Sequence, residues 1–169
     1  MERVFGVERG SMWTEHAWTD ENAGQDTPTK TRGRWFSVLI NMVFTTTGAA
    51  VAIGKAVKSL NGKLNGIGIR FNNDDGSFAN LAIRLKKRTN VETVNRVFQA
   101  AARMSRFHIE YHDQNVPVSG SIVGNPHSAI FIPKLTQVSK DGKISKISLG
   151  YDNEWGYSGR LRLLLSNIA

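Results

Sequence analysis

The chain has 169 residues, 40% of them apolar and 21% charged, which predicts one globular domain over residues 1–169 and excludes a disordered or fibrous protein. It contains no cysteine, which excludes disulfides, thiolate metal sites and a cysteine nucleophile within these residues. The net charge of +8 favours partners that carry phosphate, although a solvated basic surface has the same composition.

The apolar runs in the sequence are short. Runs such as Val38–Ile40 and Leu163–Leu165 fall far below the roughly 20 residues that cross a membrane. The first residues also lack the basic segment and long apolar core of a secretory signal. We therefore expect a soluble, cytoplasmic protein with no membrane partner.

The first predicted elements are a strand, a long loop and a helix. Residues 12–18 mix aromatic, hydroxyl and apolar side chains and predict a strand. Residues 19–46 are interrupted so often by glycine, proline, asparagine and aspartate that they predict one long loop, either functional or packed against a partner. Apolar residues at helical spacing over Ala49–Leu60, after three threonines that can cap them, predict a helix.

A hairpin is predicted next. Apolar side chains alternate over Ile67–Phe71 and again over Leu81–Leu85, which is the period of half-buried strands. The intervening residues 72–77 are asparagine, aspartate, glycine and serine, which favour a turn. The two strands are therefore expected to pair with each other.

The C-terminal part predicts two helices and three short strands. The first helix is expected to begin near Thr89, which forms a capping-box pattern with Glu92. The strands are expected over 107–111, 129–138 and 143–149, with a turn at Asp141–Gly142. The second helix is expected from about Asn153, and its apolar residues expected to face inward are Leu161, Leu164, Leu165 and Ile168.

The succession of these elements predicts the fold class. Strands outnumber helices, and short turns join many of them, which favours antiparallel pairing. Amphipathic helices must cover an apolar surface. We predict an α+β fold, a mixed, mainly antiparallel sheet with helices packed on one face.

Four sequence strings carry a likeness to a known family. They are TTTGAA at Thr45–Ala50, AIGK at Ala52–Lys55, LNGKL at Leu60–Leu64 and YDNEWGYS at Tyr151–Ser158. Together they resemble the C-terminal, catalytic domain of phosphorylating glyceraldehyde-3-phosphate dehydrogenase, and the likeness runs from Phe5 to the final helix. The resemblance implies the same α+β fold.

The resemblance also implies which parts of the family's subunit these residues do not carry. In the family a dinucleotide-binding domain with a glycine-rich turn precedes this one, and the nucleophilic cysteine lies just upstream in a Ser-Cys-Thr-Thr-Asn-Cys string. Neither pattern occurs in these 169 residues. The family uses NAD or NADP, and this chain alone is expected to bind neither.

The resemblance assigns one residue to the catalytic base and two to the substrate's phosphate. His16 matches the base that keeps the cysteine as a thiolate, a role that is vestigial without a thiol. Thr19 and Arg70 match the positions that hold the substrate's phosphate, as a hydroxyl donor and a guanidinium. The alternatives are a histidine merely satisfied within a strand and an arginine that faces solvent or pairs with a carboxylate.

Five further residues match other ligand positions of the family. Thr47 and Gly48 match the site of the attacking inorganic phosphate, near a helix start that favours anions. Thr47 would equally serve as a helix cap alone. Arg34 matches a loop arginine near that site, and Asn153 and Tyr157 match residues that touch the nicotinamide ring.

The chain departs from the family next to several of these positions. Phe71 and Asn72 follow Arg70 where the family has valine and proline. Phe36 replaces a second loop arginine, and Phe44 replaces a proline. The strand after Arg70 is therefore expected to leave the sheet differently.

No metal site is predicted from the histidines. His108 and His112 are four residues apart, which aligns side chains only on a helix, whereas the alternation around them predicts a strand, and His127 lies far along the chain. The basic run Lys86–Arg88 is more typical of a hydrated surface turn than of a nucleic-acid contact.

Three functions are consistent with the sequence. The first is a catalytically incomplete half of a dehydrogenase of this family, which binds phosphate or sulfate and self-associates through its sheet and the 19–46 loop, whose apolar residues would otherwise be exposed. The second is an oxidoreductase that becomes active when a separate polypeptide supplies the cofactor domain and the cysteine. The third is a basic module that binds nucleic acid.

Overall fold

The computed structural model describes residues 1–168, in which eight strands and four α-helices follow one another. The strands are β1 (Val7–Ala17), β2 (Val43–Thr46), β3 (Leu64–Phe71), β4 (Ser77–Leu85), β5 (Ile109–Tyr111), β6 (Ala129–Phe131), β7 (Gln137–Val138) and β8 (Ile144–Tyr151). The helices are α1 (Glu2–Phe5), α2 (Ala49–Ala56), α3 (Val91–Ala102) and α4 (Trp155–Ser166). Within residues 1–168, no helix is both long and apolar enough to cross a bilayer.

All eight strands belong to one sheet, in the order β2–β3–β1–β4–β8–β6–β5, with β7 paired to β8 beside this path. The pairs β1–β3 and β5–β6 are parallel, and the other pairs are antiparallel. The predicted mixed, mainly antiparallel α+β fold is confirmed.

The predicted hairpin is wrong, although both of its segments are strands. β1 lies between β3 and β4, so that Trp13 faces Ile67 on one side and Asn80 on the other. Alternation along a strand determines which side chains face the core, but it does not determine which strands pair. The turn between β3 and β4 instead carries the chain past β1, and its Gly76 has a φ of +82° with the Ser119 carbonyl close by.

Several predicted boundaries also differ from the structure. The 19–46 loop contains a short 3-10 turn at Arg32–Arg34 and ends in β2, which pairs with β3. The helix predicted over 49–60 ends at Ala56 and continues as a 3-10 turn. α3 is capped by Asn90, whose Oδ1 accepts the Thr93 N–H at 2.8 Å, rather than by a Thr89 capping box.

The short C-terminal strands are interrupted by 3-10 turns. Residues 129–138 divide into β6 and β7 around Pro133–Leu135, because proline cannot donate to a strand ladder. Phe107 belongs to a 3-10 turn before β5, and His108 ends that turn in the left-handed region with φ 49°.

The core lies between one face of the sheet and the helices α2 and α3. Its buried strand residues include Met12, Leu85 and Ile147, and α2 and α3 contribute Ala50 and Val94. The other face of the sheet carries polar and basic side chains as well as a few apolar ones. The expectation of helices on one face is therefore confirmed.

The final helix differs from the prediction in where it starts and what its apolar residues contact. It begins at Trp155, and Leu161, Leu164 and Leu165 are 44%, 57% and 59% exposed. The expectation that these residues face inward is wrong. Helical periodicity reveals an apolar surface but does not show what covers it.

Candidate functional site

One small cavity collects half of the eight residues that the resemblance assigned to roles in the site. It has a volume of about 240 Å³ and lies where β1, β2 and β3 approach the start of α2. The residues that line it are Thr14, His16, Thr45–Ala49, Gly68, Arg70 and Tyr151. Strand register explains the convergence, because His16 on β1 is the partner of Arg70 on β3, which in turn is the partner of Val43 on β2.

His16 and Arg70 share one backbone acceptor. His16 Nδ1 lies 2.7 Å from the carbonyl oxygen of Ala17, and Arg70 Nη1 donates to the same oxygen at 2.7 Å. Arg70 Nη1 also contacts His16 Nδ1 directly. The contact with the carbonyl requires a proton on Nδ1, which leaves Nε2 to accept one, whereas the contact with Arg70 requires an unprotonated Nδ1.

The electrostatic setting of His16 favours the neutral imidazole. Burial lowers the pKa of His16 below its ordinary value, and the Arg70 charge adds to this, whereas the Ala17 carbonyl and Asp75 act in the opposite direction. A neutral imidazole is the form that a general base requires. The same cavity therefore holds a base and a guanidinium side by side.

The loop before α2 supplies the hydroxyl and backbone groups of the cavity. Gly48 is the N-cap residue of α2 and has no side chain to block the helix start. The Thr47 hydroxyl oxygen accepts the Ala49 N–H at 3.2 Å, so Thr47 caps the first turn of α2. Capping was the alternative role considered for Thr47 from the sequence. Capping and anion binding use the same end of the helix and are compatible.

Arg34 lies beside the cavity but is already engaged. Its Nε and Nη2 donate to the Thr45 hydroxyl at 3.2 and 2.7 Å, and its Nη1 pairs with Glu21. These bonds fix the 19–46 loop against β2. Arg34 therefore orders the cavity wall through Thr45 and does not itself line the cavity.

Thr19 is not among the residues that line the cavity. It lies in the turn after β1, where its backbone N–H and its hydroxyl donate to the Asn22 side-chain oxygen at 3.2 and 3.4 Å. Asn22 is buried, and its amide nitrogen has no hydrogen-bond partner within residues 1–168. The structure thus joins Arg70 to His16 and Thr47 but does not bring Thr19 into the same cavity.

The two residues matched to nicotinamide do not line the cavity either. Asn153 accepts a hydrogen bond from the Ser77 hydroxyl at 2.7 Å, and Tyr157 is 70% exposed on α4. Ser77 in turn accepts the Ala17 N–H at 3.1 Å, which ties Asn153 to the end of β1. Within residues 1–168, these side chains form no nicotinamide pocket around His16.

Tyr151 is a cavity residue that the sequence reasoning missed. Its ring packs edge-on against His16, with 6.0 Å between ring centres, and burial raises its pKa. Its position in the sequence was a signal, because Tyr151 opens the YDNEWGYS string that carries the resemblance. Thr14 and Gly68 were missed for another reason, because only the pairing of β1 with β3 brings them together.

Two further polar clusters lie outside this cavity. Carboxylate oxygens of Asp75, Asp152 and Glu154 lie within 4.8 Å of one another. Asp152 accepts the N–H groups of Glu154 and Trp155 at 2.9 and 2.6 Å, which places its carboxylate at the start of the final helix. Burial acts to raise the pKa of Asp152, but hydrogen bonds from three N–H groups outweigh it and lower that pKa.

The second cluster surrounds Glu110 on β5. Glu110 contacts His112 at 2.8 Å and His127 at 3.6 Å, and it accepts from the Asn125 side chain at 2.7 Å. The structure brings two of the three histidines to one carboxylate, which their sequence spacing did not indicate.

Comparison with known proteins assigns the chain to a family. Residues 1–153 match the family model described as glyceraldehyde 3-phosphate dehydrogenase, C-terminal domain. The chain belongs to this family. The resemblance inferred from the sequence strings is thereby confirmed.

The curated relatives carry the same name. The chain is 43% identical to the glyceraldehyde-3-phosphate dehydrogenase of Mycobacterium avium over 159 residues, covering 93% of this chain and 46% of the relative. It is 39% identical to that of Mycolicibacterium smegmatis, covering 97% and 48%, and 36% identical to glyceraldehyde-3-phosphate dehydrogenase 2 of Bacillus subtilis, covering 100% and 49%. The chain thus spans about half the length of the curated relatives it matches.

Proposed function

We propose that this domain supplies the general base and an anion-binding cavity to a glyceraldehyde-3-phosphate dehydrogenase reaction. The observation that carries the proposal is the cavity shared by His16, Arg70 and the Thr47–Gly48 helix start. A neutral imidazole, a guanidinium and helix N–H groups together suit a phosphate ester beside a group that must lose a proton. The four sequence strings that carry the resemblance, and the membership of the chain in the family, support this assignment.

The expected chemistry of the cavity follows from its groups. His16 Nε2 takes a proton from a thiol and so favours the thiolate, while Arg70 and the start of α2 neutralise a phosphate. The 169 residues contain no cysteine, so that thiol must belong to residues other than these. Among the described residues, Asn153 and Tyr157 do not line the His16 cavity, and no step is assigned to NAD here. On its own the domain is a catalytically incomplete half.

A phosphate titration tests the anion cavity. Inorganic phosphate added to the chain in a calorimeter is expected to bind saturably, and Arg70→Met is expected to weaken binding about 10- to 100-fold, the value of one charge-assisted hydrogen-bond partner. The control Arg103→Met removes the same charge from an exposed residue near the end of α3. Equal weakening by both variants would mean that phosphate is attracted by the net positive charge of the protein and not by the cavity.

An activity assay tests the incompleteness. The chain alone, with glyceraldehyde 3-phosphate, phosphate and oxidised cofactor, is expected to produce no reduced cofactor, because it has no sulfur nucleophile. Turnover by the chain alone contradicts this part of the proposal.

The exposed face of α4 favours the second function, activity after complementation. Leu161, Leu164 and Leu165 form an apolar ridge at helical spacing on the surface. A separately expressed dinucleotide-binding domain that carries the cysteine is expected to cover this ridge and restore turnover. Leu164→Lys is expected to abolish the restored activity while leaving phosphate binding unchanged.

We also propose that the chain self-associates through the 19–46 loop and the neighbouring edge of the sheet. This region carries four strongly exposed apolar side chains, Phe36, Ile40, Met42 and Phe44, which are 56%, 85%, 74% and 67% exposed. Monomeric proteins rarely expose so large an apolar patch to water. Sedimentation is expected to show a homo-oligomer, and the double variant Ile40→Asp/Met42→Asp is expected to be monomeric. A monomeric wild-type chain at high micromolar concentration contradicts self-association.

A further inference from the structure

Two turns beyond one end of the sheet carry a concentrated positive charge. The first, residues 86–90, follows β4, and the second, residues 139–143, connects β7 to β8. Both lie at the opposite end of β1 from His16, because Leu85, the last residue of β4, pairs with Val7. We call these two segments together the basic turn pair.

Backbone hydrogen bonds hold the two turns against each other. The Leu85 N–H donates to the Lys143 carbonyl oxygen at 2.8 Å, and the Thr89 N–H donates to that of Gly142 at 2.9 Å. A Cβ atom on Gly142 would lie 2.7 Å from the Thr89 carbonyl oxygen, so the two backbones are in close contact. The Lys143 ammonium also donates to the Lys86 carbonyl oxygen. The backbones that carry the cations are therefore fixed side by side.

The fold collects more cations here than any one run of the sequence does. The first turn contributes three and the second adds two, and together they are Lys86, Lys87, Arg88, Lys140 and Lys143. None of the five forms an ion pair among residues 1–168, and all but Lys143 are exposed.

Little negative charge within the chain offsets these cations. The basic turn pair contains one carboxylate, Asp141, and Glu92 follows on α3. Asp141 accepts the Ser139 hydroxyl at 2.5 Å and the Lys143 backbone N–H at 3.1 Å, so it is bonded within its own turn. Like charges held close together repel one another, and a bound polyanion removes that repulsion.

The side chains of the basic turn pair favour one kind of polyanion. They include no aromatic ring for a base to stack on, and no large apolar group to insert into a membrane. Lysine and arginine side chains contact phosphates irrespective of base sequence. A nucleic-acid duplex carries about one negative charge per 1.7 Å of its axis and releases more counterions per contact than a single strand does. These properties together favour the backbone of a duplex.

We propose that the basic turn pair binds the phosphate backbone of double-stranded nucleic acid without sequence preference. The run Lys86–Arg88 alone is typical of a hydrated turn, and the neighbouring Lys140 and Lys143 extend it to a surface for several phosphates. This surface stands independently of the proposed phosphate cavity. Because it binds by charge, the logarithm of the binding constant is expected to fall with the logarithm of the salt concentration, with a slope of about −3 to −4.5 for three to five phosphate contacts.

Fluorescence anisotropy tests the surface, with a labelled DNA duplex of about 20 base pairs at about 0.1 M salt. The triple variant Lys87→Gln/Arg88→Gln/Lys140→Gln is expected to weaken duplex binding at least tenfold. It is also expected to make the salt slope shallower by about 2.7, because each lost phosphate contact removes about 0.9. A salt slope that the triple variant leaves unchanged overturns the proposal, and so does an absence of saturable duplex binding to the unaltered chain.

A matched control separates this surface from the net charge of the protein. The variant Lys55→Gln/Lys58→Gln/Arg103→Gln removes the same charge from exposed residues near the ends of α2 and α3, and it is expected to leave duplex affinity within threefold. The residues changed in either variant form no ion pair among the described residues, so both proteins are expected to keep the unfolding free energy of the unaltered chain. Equal losses of duplex binding in the two variants overturn the proposal.

Two further probes test the choice of a duplex. A single strand of the same length is expected to bind more weakly, and tighter binding of the single strand overturns the assignment to a duplex. Vesicles with about one third phosphatidylserine are expected to bind more weakly than the duplex. Vesicle binding that is tighter than duplex binding, and is lost in the triple variant, assigns the surface to membranes and overturns the proposal. Arg70→Met is expected to leave duplex affinity within threefold, which separates this surface from the phosphate cavity.

Discussion

The two ends of β1 show how one strand serves two different environments. Towards its C-terminal end, on the helix-covered face, Thr14 and His16 continue the row of Met12 from the core into the small cavity beside Arg70. At its N-terminal end, Val7 pairs with the last residue of β4, which leads into the basic turn pair. The polar groups of the cavity bond to one another and to the backbone, whereas the cations of the basic turn pair have no ion-pair partner among the described residues.

This difference separates preorganisation from electrostatic attraction. His16 and Arg70 are held by the same carbonyl oxygen, so a ligand meets donors whose positions are already fixed. Lys87, Arg88 and Lys140 are long, exposed side chains that must be ordered when a ligand binds. We therefore expect the covered face to determine the unfolding free energy and the protonation of His16. Anion binding to the basic turn pair is expected to weaken strongly as the salt concentration rises.

The largest expected difference concerns the core beneath the helices. Phe131 on β6 is fully buried and stacks on Phe98 with 4.0 Å between ring centres. Phe131→Ala is expected to lower the free energy of unfolding by about 3–5 kcal/mol, because it removes a buried ring and leaves a cavity. Denaturant unfolding in the monomeric Ile40→Asp/Met42→Asp background measures the change in unfolding free energy.

The control for this variant is Phe44→Ala on the sheet edge. Phe44 is 67% exposed, so in the monomeric Ile40→Asp/Met42→Asp background its removal is expected to change the unfolding free energy by less than about 0.5 kcal/mol. Comparable losses for the two phenylalanines would mean that the helix-covered face is not the principal core.

A smaller effect is expected where the strands approach closely. A Cβ atom on Gly10 would lie 2.8 Å from the Ala82 carbonyl oxygen and 3.0 Å from the Leu64 side chain. Gly10→Ala is therefore expected to cost about 1–3 kcal/mol, the range for overpacking. Ser11→Ala, one residue along and on the helix-free face, is expected to cost less than about 0.5 kcal/mol. A neutral Gly10→Ala variant would show that β1 and β4 separate easily.

The smallest expected effect is a pH dependence from the covered face. Burial keeps the pKa of His16 below its ordinary value of 6.5, so the unfolded chain binds this proton more readily than the folded chain. The free energy of unfolding is therefore expected to fall as the pH drops through the window below 6.5. His16→Gln is expected to reduce that slope in denaturant titrations at several pH values. A slope that His16→Gln leaves unchanged would assign the dependence to other groups.

The sequence predicted the elements of this fold better than their arrangement. Alternation over 67–71 and 81–85 correctly indicated two strands, because side-chain burial has the same period as the backbone. It could not reveal that β1 separates them, because that depends on contacts between residues far apart in the chain. β2 was missed for the same reason, since its four residues acquire strand structure from pairing with β3.

The candidate site was predictable only as far as the family strings reached. They indicated His16, Arg70 and Thr47, which the structure brings to one cavity. Thr19 does not line that cavity, and its expected role beside Arg70 stays a prediction. Tyr151 opens one of those strings but was not selected, and Thr14 and Gly68 carry no pattern by which the sequence alone would select them. The basic turn pair was not predicted for a simpler reason, because the second turn comes beside Lys86–Arg88 only through backbone bonds between distant residues.

The most direct test of the phosphate cavity is the titration of the His16 imidazole, followed by NMR with and without inorganic phosphate. A bound phosphate stabilises the protonated ring, so the pKa of His16 is expected to rise when phosphate is added. The rise is expected to disappear in Arg70→Met and to persist in Arg9→Ala, because only Arg70 lies in the cavity with His16. A His16 pKa that is the same with and without saturating phosphate would contradict the account.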